Sequence, residues 1–355
     1  MSSEVRLLVV DREGNAKAPL PSATLKDCSW RLDGIGDGSF SINPLARGAT
    51  EIQLWKREIQ AWFDDELTWW GVPLNTSGGL DELTFNMEDP MTLFNKRGVD
   101  RATLDYPGVD QLAIGWDLLR YAQDETFQPN RDFNIGAANF GPSGKIRYRR
   151  YRRDEHRMIL DCLGEFTTLA DGFDWSLEIF GHGSRLWTPY FPEKGTVQKN
   201  LSIRIEQGRR PRGTTSITYE EDAVEMATHV YCTGGSDGDV KFEENYEDVA
   251  ASAEYGVMQA FISEGSVTDP PWLEERARQE VLTRNHPAIS PEVELPTTMV
   301  QRVDVPVSYL KRVKVGDWIP IKISYGYIQV DNQFRVYEVR WSEGDKVSLT
   351  FGEVR

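Results

Sequence analysis

The chain has 355 residues, 39% hydrophobic and 11% aromatic, with 30 Gly and 18 Pro, an ordinary globular composition that excludes a disordered, collagenous or low-complexity protein. At this length one hydrophobic core usually stops growing, so a single small module is excluded and two or three cores are expected. Lys and Arg total 40 against 56 Asp and Glu, a formal net charge of -16, and such a surface is not built to hold nucleic-acid phosphates.

The N-terminal apolar stretch is short and flanked by charge, unlike the core of a signal peptide, and no window approaches the roughly 18 apolar residues of a membrane span. The chain is therefore expected to be made and kept in the cytoplasm. Cys28, Cys162 and Cys232 are far apart and form no C-x-x-C pair. They read as buried thiols in a reducing compartment, with neither a disulfide framework nor a zinc site.

Residues 1 to about 95 form a succession of strand-like runs: Val5–Val10, Thr24–Trp30, Ser39–Asn43, Glu51–Lys56, Glu58–Phe63, Glu66–Gly71 and Glu82–Glu88. Turn chemistry at Gly34 to Gly38, Asp64-Asp65 and Asn75 to Gly79 separates them, which suggests a small barrel or sandwich. From Pro107 the period changes. Val109, Leu112, Ala113, Trp116, Leu119 and Gln123 fall at helical spacing, and a second helix is expected from an N-cap at Asp154, through Met158, Cys162, Phe166 and Leu169, to a stop at Gly172. Phe173, Trp175, Leu177 and Ile179 then alternate as a strand, so the middle is α+β.

A third block opens near Glu221 with the strand Thr228–Cys232 and a polar loop from Gly234 to Asp239. Asp269 and Pro270 open a helix with Leu273, Ala277 and Val281 four residues apart. Strands resume at Val300–Val307, Trp318–Ser324, Phe334–Trp341 and Val347–Glu353, with turns expected at Val330-Asp331-Asn332 and Glu343-Gly344-Asp345.

Chemistry needs convergent polar groups, and His156, His182, His229 and His286 show no ligand spacing. Gly181-His182-Gly183-Ser184 places its serine at the wrong offset for a nucleophile elbow and reads as a polar loop. Gly34-Ile35-Gly36-Asp37-Gly38 is followed by a strand, whereas a phosphate cradle needs a helix there, so it reads as a hairpin turn. Asp237 and Asp239 resemble part of a calcium loop, but Asp248 stands where the bidentate glutamate belongs. No catalytic, cofactor or metal site is assigned. Trp69 and Trp70 are candidates for a glycan-stacking platform, although neighbouring strand positions point to opposite faces and at most one indole can join it.

The sharpest anomaly is the run from Lys145 to Arg153, where Lys145, Arg147, Arg149, Arg150, Arg152 and Arg153 put six cations in nine residues of an acidic chain. If extended, Lys145, Arg147, Arg149, Tyr151 and Arg153 share one face and Ile146, Tyr148, Arg150 and Arg152 the other, so an edge or loop position follows. The run reads as a contact to acidic groups of a neighbouring subunit or partner, as a solvated loop, or as a nucleic-acid contact.

Asp33-Gly34, then Gly38-Ser39-Phe40-Ser41-Ile42, Trp70-Gly71-Val72-Pro73, Val315-Gly316-Asp317-Trp318-Ile319-Pro320-Ile321 and the terminal Leu349-Thr350-Phe351-Gly352 follow in an order that resembles the tail hub proteins of long-tailed phages. The likeness is to the baseplate-hub and tail-associated-lysin N-terminal family, especially minor tail proteins of actinobacterial phages. It implies a β-rich α+β fold with two small β-barrel modules, residues 1–100 and 221–355, the second with an inserted helix near 270–285, joined by an α+β region at 101–220. It also implies a homotrimer whose six barrels form a pseudo-sixfold ring that joins tail tube to tip, nucleates tail assembly and lines the DNA exit channel.

The implied partners are a distal tail protein or the tail tube above, tip or fibre proteins below, and the tape measure protein within the channel. DNA passes without stable binding. The implied location is the virion tail tip, assembled in the host cytoplasm. The chain ends at Arg355 directly after its last strand, so the C-terminal extension that carries fibres or a peptidoglycan-cleaving domain in larger members is not expected, nor is lytic activity. The other reading is a carbohydrate-binding or glycan-cleaving module of the tail tip, which would need a cleft with paired carboxylates.

Overall fold

The computed structural model describes residues 4–126, 132–169, 171–180, 183–198, 203–206, 216–237, 240–265, 267, 269–296, 313–344 and 346–352. The protein is a β-rich α+β structure with four α-helices among these residues, Gln111–Gln123 (α1), Ile159–Thr167 (α2), Val249–Tyr255 (α3) and Pro270–Arg284 (α4). The strand expected at Val300–Val307, the loop residues Gly181 and His182, and Gly238 and Asp239 of the acidic loop lie outside the described residues.

Among the described residues thirteen strands share one sheet. Its N-terminal part runs Ala16–Pro19, Val5–Val10, Glu58–Phe63, Glu66–Gly78, Leu83–Glu88, Asp37–Ile42 and Thr24–Arg31, with every pairing antiparallel. Thr24–Arg31 then pairs with Ile328–Ser342, setting Trp341 opposite Cys28, and the sheet continues through Lys346–Gly352 and Ala288–Pro296 to Ser216–Asp222. Trp318–Tyr325 lies beside Ile328–Ser342, and Ile203–Glu206 pairs parallel with it. The path is open at both ends among the described residues.

One core serves both ends of the chain, since Val9, Phe40, Ile59 and Trp69 pack in the same cluster as Ile319, Phe334, Leu349 and Phe351. Phe63 meets Trp341 edge-on with ring centres 5.1 Å apart, a favourable aromatic geometry across that seam.

Most strands lie where period-2 alternation places them, but two readings are corrected. Glu51–Lys56 is not a strand: a 3₁₀ turn at Ala49–Glu51 follows Gly48 at φ 86°, and Trp55 turns back at φ 61° to donate its amide to the carbonyl of Pro73, 3.0 Å away. The turn expected at Val330 to Asn332 sits instead at Gly326, φ 59°, and Asp331 lies inside Ile328–Ser342, directly across from Lys322 and ion-paired with it. A cross-strand charge pair overrides the turn preference of Asp and Asn.

In the middle of the chain Asp110 caps α1, accepting the Leu112 amide at 3.0 Å. The α1 stripe of Leu112, Ile114, Leu118 and Leu119 packs with Cys162, Leu163 and Phe166 of α2 and with Trp175 and Trp187 of the small sheet formed by Asp174–Phe180, Ser184–Tyr190 and Ile135–Ala137. Asp154 is not the cap of α2. It lies in a 3₁₀ turn, Arg153–Glu155, and is bound to Arg152; the chain reverses at His156, φ 49°, and α2 begins after Met158.

Residues 223–287 form an excursion between Ser216–Asp222 and Ala288–Pro296, which pair with each other. It is more than an inserted helix. Strand His229–Asp237 runs between antiparallel Val240–Glu247 and parallel Gln259–Glu264, and α4 covers one face with Leu273, Ala277 and Val281 against Val230 and Cys232. All three cysteines are free and buried.

The glycine loop at 34–38 joins two antiparallel strands, as its turn chemistry predicts. Gly36 donates its amide to Asp89 Oδ2 at 2.6 Å, and a Cβ there would collide with the Ser29 carbonyl oxygen. Backbone cannot yield as a side-chain tip can, so Gly36→Ala is expected to cost about 3 kcal/mol. The urea midpoint of the full chain checks this, and an unchanged midpoint contradicts it.

Candidate functional site

Ile146–Tyr151 is the outer strand of a two-stranded sheet, antiparallel to Leu104–Asp110, and its side chains alternate as the extended reading requires. The face of Lys145, Arg147, Arg149 and Tyr151, however, turns inward. Lys145 Nζ lies 3.2 Å from Asp171, Arg147 is ion-paired with the same carboxylate, and Arg147 Nε donates to Gln111 Oε1 at 3.1 Å. Burial pushes Asp171 up, but the hydrogen bonds and charges of Arg147 and Lys145 outweigh it and hold the carboxyl below its usual range.

Arg149 is 3% exposed, with Nε 3.5 Å from Glu165 of α2 and its guanidinium 4.3 Å from the ring centre of Trp272 in α4. Tyr151 is buried and donates to Glu165 at 3.0 Å. Three of the six cations, Lys145, Arg147 and Arg149, are thus met on this face by carboxylates of their own chain. The opposite face stays open: Ile146 is 54% and Tyr148 61% exposed, Arg150 and Arg152 are exposed, and Arg152 pairs with Asp154 at 2.8 Å. Arg150 and Arg153 make no ion pair among the described residues.

Trp69 and Trp70 do point to opposite faces, and both are core residues, 1% and 0% exposed. Trp69 donates its indole N–H to the Ser29 carbonyl at 2.9 Å within the main core, and Trp70 lies under the Arg185 guanidinium, 4.6 Å from its ring centre. Neither ring face is open to a sugar, which corrects the platform expectation. Large aromatic area is worth most when removed from water.

Two buried arginines hold the parts of the chain together; Arg185 is the one charge of its strand, whereas Arg335 shares its strand with Asp331, Glu338 and Arg340 and carries no such mark. Arg185 donates to Glu58 at 2.6 Å and to the carbonyls of Arg12 and Phe133 at 2.6 and 2.7 Å, with 0% and 2% of the two side chains exposed. Burial drives the Glu58 carboxyl up to about 7 even against the Arg185 charge. Arg335 is ion-paired with Asp174 and reaches the Lys194 carbonyl at 2.9 Å. Asp33 joins the cluster, its amide donating to the Trp175 carbonyl and its Oδ1 accepting the Trp175 amide, and burial followed by repulsion from Asp174 lifts its carboxyl to about 8. First, middle and last thirds of the chain meet at Asp33, Asp174 and Arg335.

Beside this cluster a cleft of about 350 Å³ is lined by Arg31, Asp33, Asp37, Glu88, Leu160 and Trp175. Three carboxyls in one cleft do not by themselves make a hydrolase; what matters is whether they are free. Asp37 accepts from Arg340 at 2.7 and 2.8 Å and from Ser29 at 2.8 Å, Glu88 accepts from Thr92 at 2.5 Å, and Asp33 accepts the Trp175 amide at 2.6 Å. Each is committed to holding the fold, unlike the paired carboxylates that flank a glycosidic bond. Among the described residues no group of three or more His, Cys, Asp or Glu is arranged to hold a metal ion, and no helix is long and apolar enough to cross a membrane.

The family described as prophage endopeptidase tail matches residues 209–355. No curated protein matches the chain. Among solved structures, the 43 kDa tail protein of prophage MuSo2 from Shewanella oneidensis is similar at 12% identity and a TM-score of 0.62, over 99% of this chain and 98% of that one. A prophage tail protein from Listeria monocytogenes EGD-e is similar at 12% identity and 0.57, over 97% and 94%. A tail protein from Neisseria meningitidis MC58 is similar at 13% and 0.57, over 98% and 96%. The excursion, the shared sheet and the middle region are all inside these matches, and the fold of the chain is that of these three tail proteins.

Proposed function

We propose that the protein is a structural, non-catalytic component of a phage tail tip. It acts as the hub of the tail-associated-lysin N-terminal kind, a homotrimer that joins the tail tube to the tip, nucleates tail assembly and lines the DNA exit. The observation that carries this is the likeness to three tail proteins over nearly the full length of both partners. In this reading the β-rich ends of each chain act as two barrel-like modules, so that three copies offer six similar docking surfaces to a sixfold tube.

The neighbours are the distal tail protein or tube above, tip or fibre proteins below and the tape measure protein in the channel, and the protein is a virion component assembled in the host cytoplasm. Each copy carries a net charge of -16, which suits a channel wall that lets DNA slide without sticking. The carboxylates of the cleft beside Asp33 are engaged in the fold, which favours the structural role over glycan cleavage. Copy number in purified tails, by quantitative mass spectrometry together with a reconstruction of the tip, tests the reading. Three copies in a ring are expected, and six copies per tail overturn it.

A further inference from the structure

Two surfaces of the chain are unfinished in complementary ways. The first is the open face of Ile146–Tyr151, where Ile146 and Tyr148 are 54% and 61% exposed beside Arg150, with Arg153 exposed in the 3₁₀ turn that follows the strand. Both arginines lack an ion pair among the described residues, although Asp105 lies directly across from Arg150.

The second is the uncovered face of the three-stranded sheet. His229 and Tyr231 have ring centres 4.5 Å apart, and Tyr231 stacks on Phe261 at 5.3 Å and 15°. Phe261 is 75% exposed. Glu243 and Glu247, exposed on the neighbouring strand across from Thr233 and His229, make no ion pair among the described residues, and Lys241 is the one cation on that strand. Stacked aromatic rings standing in water, rimmed by charge, mark an interaction surface.

The two surfaces also have a defined relation. Arg149, on the buried face of the basic strand, sits against Trp272 of α4, and the buried face of the three-stranded sheet packs on the same helix through Leu273, Ala277 and Val281. Each surface therefore turns its open side away from α4, one on either flank. A single chain cannot bring them together, but a second copy can.

We infer that the open face of Ile146–Tyr151 in one copy docks on the Tyr231–Phe261 face of the next, with Ile146 and Tyr148 over the aromatic pair and Arg150 and Arg153 against Glu243 and Glu247. This rests on the reading of the chain as a ring-forming hub. The contact is head-to-tail, with different surfaces on the two partners, and such contacts close into a ring when the rotation allows. Apolar groups supply the area, and the opposed charges set register and exclude wrong pairings.

The test places one cysteine on each face of the full chain, Tyr148→Cys with Phe261→Cys; the native cysteines are buried. Mild oxidation of the double variant, in solution and in purified tails, is expected to give covalent dimers and trimers, while either single variant gives none beyond dimer. Arg150→Glu with Arg153→Glu is expected to reduce the assembled fraction roughly tenfold, because like charges are then brought face to face. Adding Glu243→Lys and Glu247→Lys to the same chain restores assembly. Failure of the double-cysteine chain to cross-link in tails, or failure of the four-residue exchange to restore assembly in a chain that melts normally, overturns the inference. Three copies per tail without the cross-link leave the hub reading intact and show that other faces meet, whereas a copy number other than three removes the hub reading itself.

Discussion

Arg185→Ala is expected to cost about 3–5 kcal/mol of folding stability, among the largest effects of any single substitution in this chain, because it strands a buried carboxylate. The guanidinium is the ion-pair partner of Glu58, a donor to two carbonyls from different segments, and a cation over Trp70. Without it Glu58 must take up a proton inside the protein or drag water in. Replacing both partners by apolar residues, Arg185→Met with Glu58→Leu, removes the stranded charge and is expected to recover most of the loss. Recovery stays incomplete because the Phe133 carbonyl loses the Arg185 donor and the Arg12 carbonyl keeps only the Asn134 amide at 3.3 Å. Urea unfolding at about pH 8, where Glu58 is mainly ionised, measures both variants. A loss below about 1 kcal/mol for Arg185→Ala would show that the pair contributes no more than a surface salt bridge.

What can be read from the sequence is whatever depends on neighbours along the chain. Val5–Val10 and Glu58–Phe63 appear with the expected bounds, and α4 begins at Pro270, where proline suits the first helical turn and an apolar stripe recurs every four residues. The seam between Thr24–Arg31 and Ile328–Ser342 is not legible, since nothing local to either strand names a partner more than 300 positions away. The basic run shows the same limit at a site. Its alternation is readable, but whether a given arginine meets water, a partner or its own chain depends on where α2 carries Glu165 and where the following loop carries Asp171.

Arg149 makes this practical. Reversing Arg149 with its neighbours would bury a glutamate against Glu165, and the failure would report on folding, not on assembly. Arg150 and Arg153 are the positions at which charge can be changed while the fold is spared. Arg335 and Asp174 stand in strands with other charges and carry no sequence signal, but Arg185 and Glu58 do: each is the one charge of a strand that otherwise reads as core. Such residues are rarely buried unless paired, so they are best read as two halves of contacts still to be found.

Stability is expected to fall as pH rises from about 5 to about 8, and Asp33 is the main cause. Its carboxyl loses its proton near 3.8 when the chain is unfolded and near 8 when folded, because burial and the Asp174 charge both oppose ionisation. Between those values the folded state binds more protons than the unfolded one, so unfolding is favoured progressively as pH increases. Stability from this group is complete below about pH 4 and is lost as pH passes through about 8. Glu58 and Asp89, each lifted to about 7 chiefly by burial, act in the same direction. Asp11, held at about 2 by its hydrogen bonds to Lys17 and Asn15 in spite of burial, acts oppositely and only on the acid side. Self-repulsion of an acidic chain also grows with pH, but salt screens it and leaves a buried carboxyl almost untouched. Asp33→Asn separates the two. The amide keeps an acceptor for the Trp175 N–H and donates toward Asp174 as the protonated acid does, without a proton to lose. Stability from urea unfolding at high salt across this range is therefore expected to decline in the natural chain by on the order of a few kcal/mol, and to decline distinctly less in Asp33→Asn, where only Glu58 and Asp89 still contribute. A parallel decline in both chains would mean that the junction of Asp33, Asp174 and Arg335 is ionised throughout, and that its single cation balances two carboxylates.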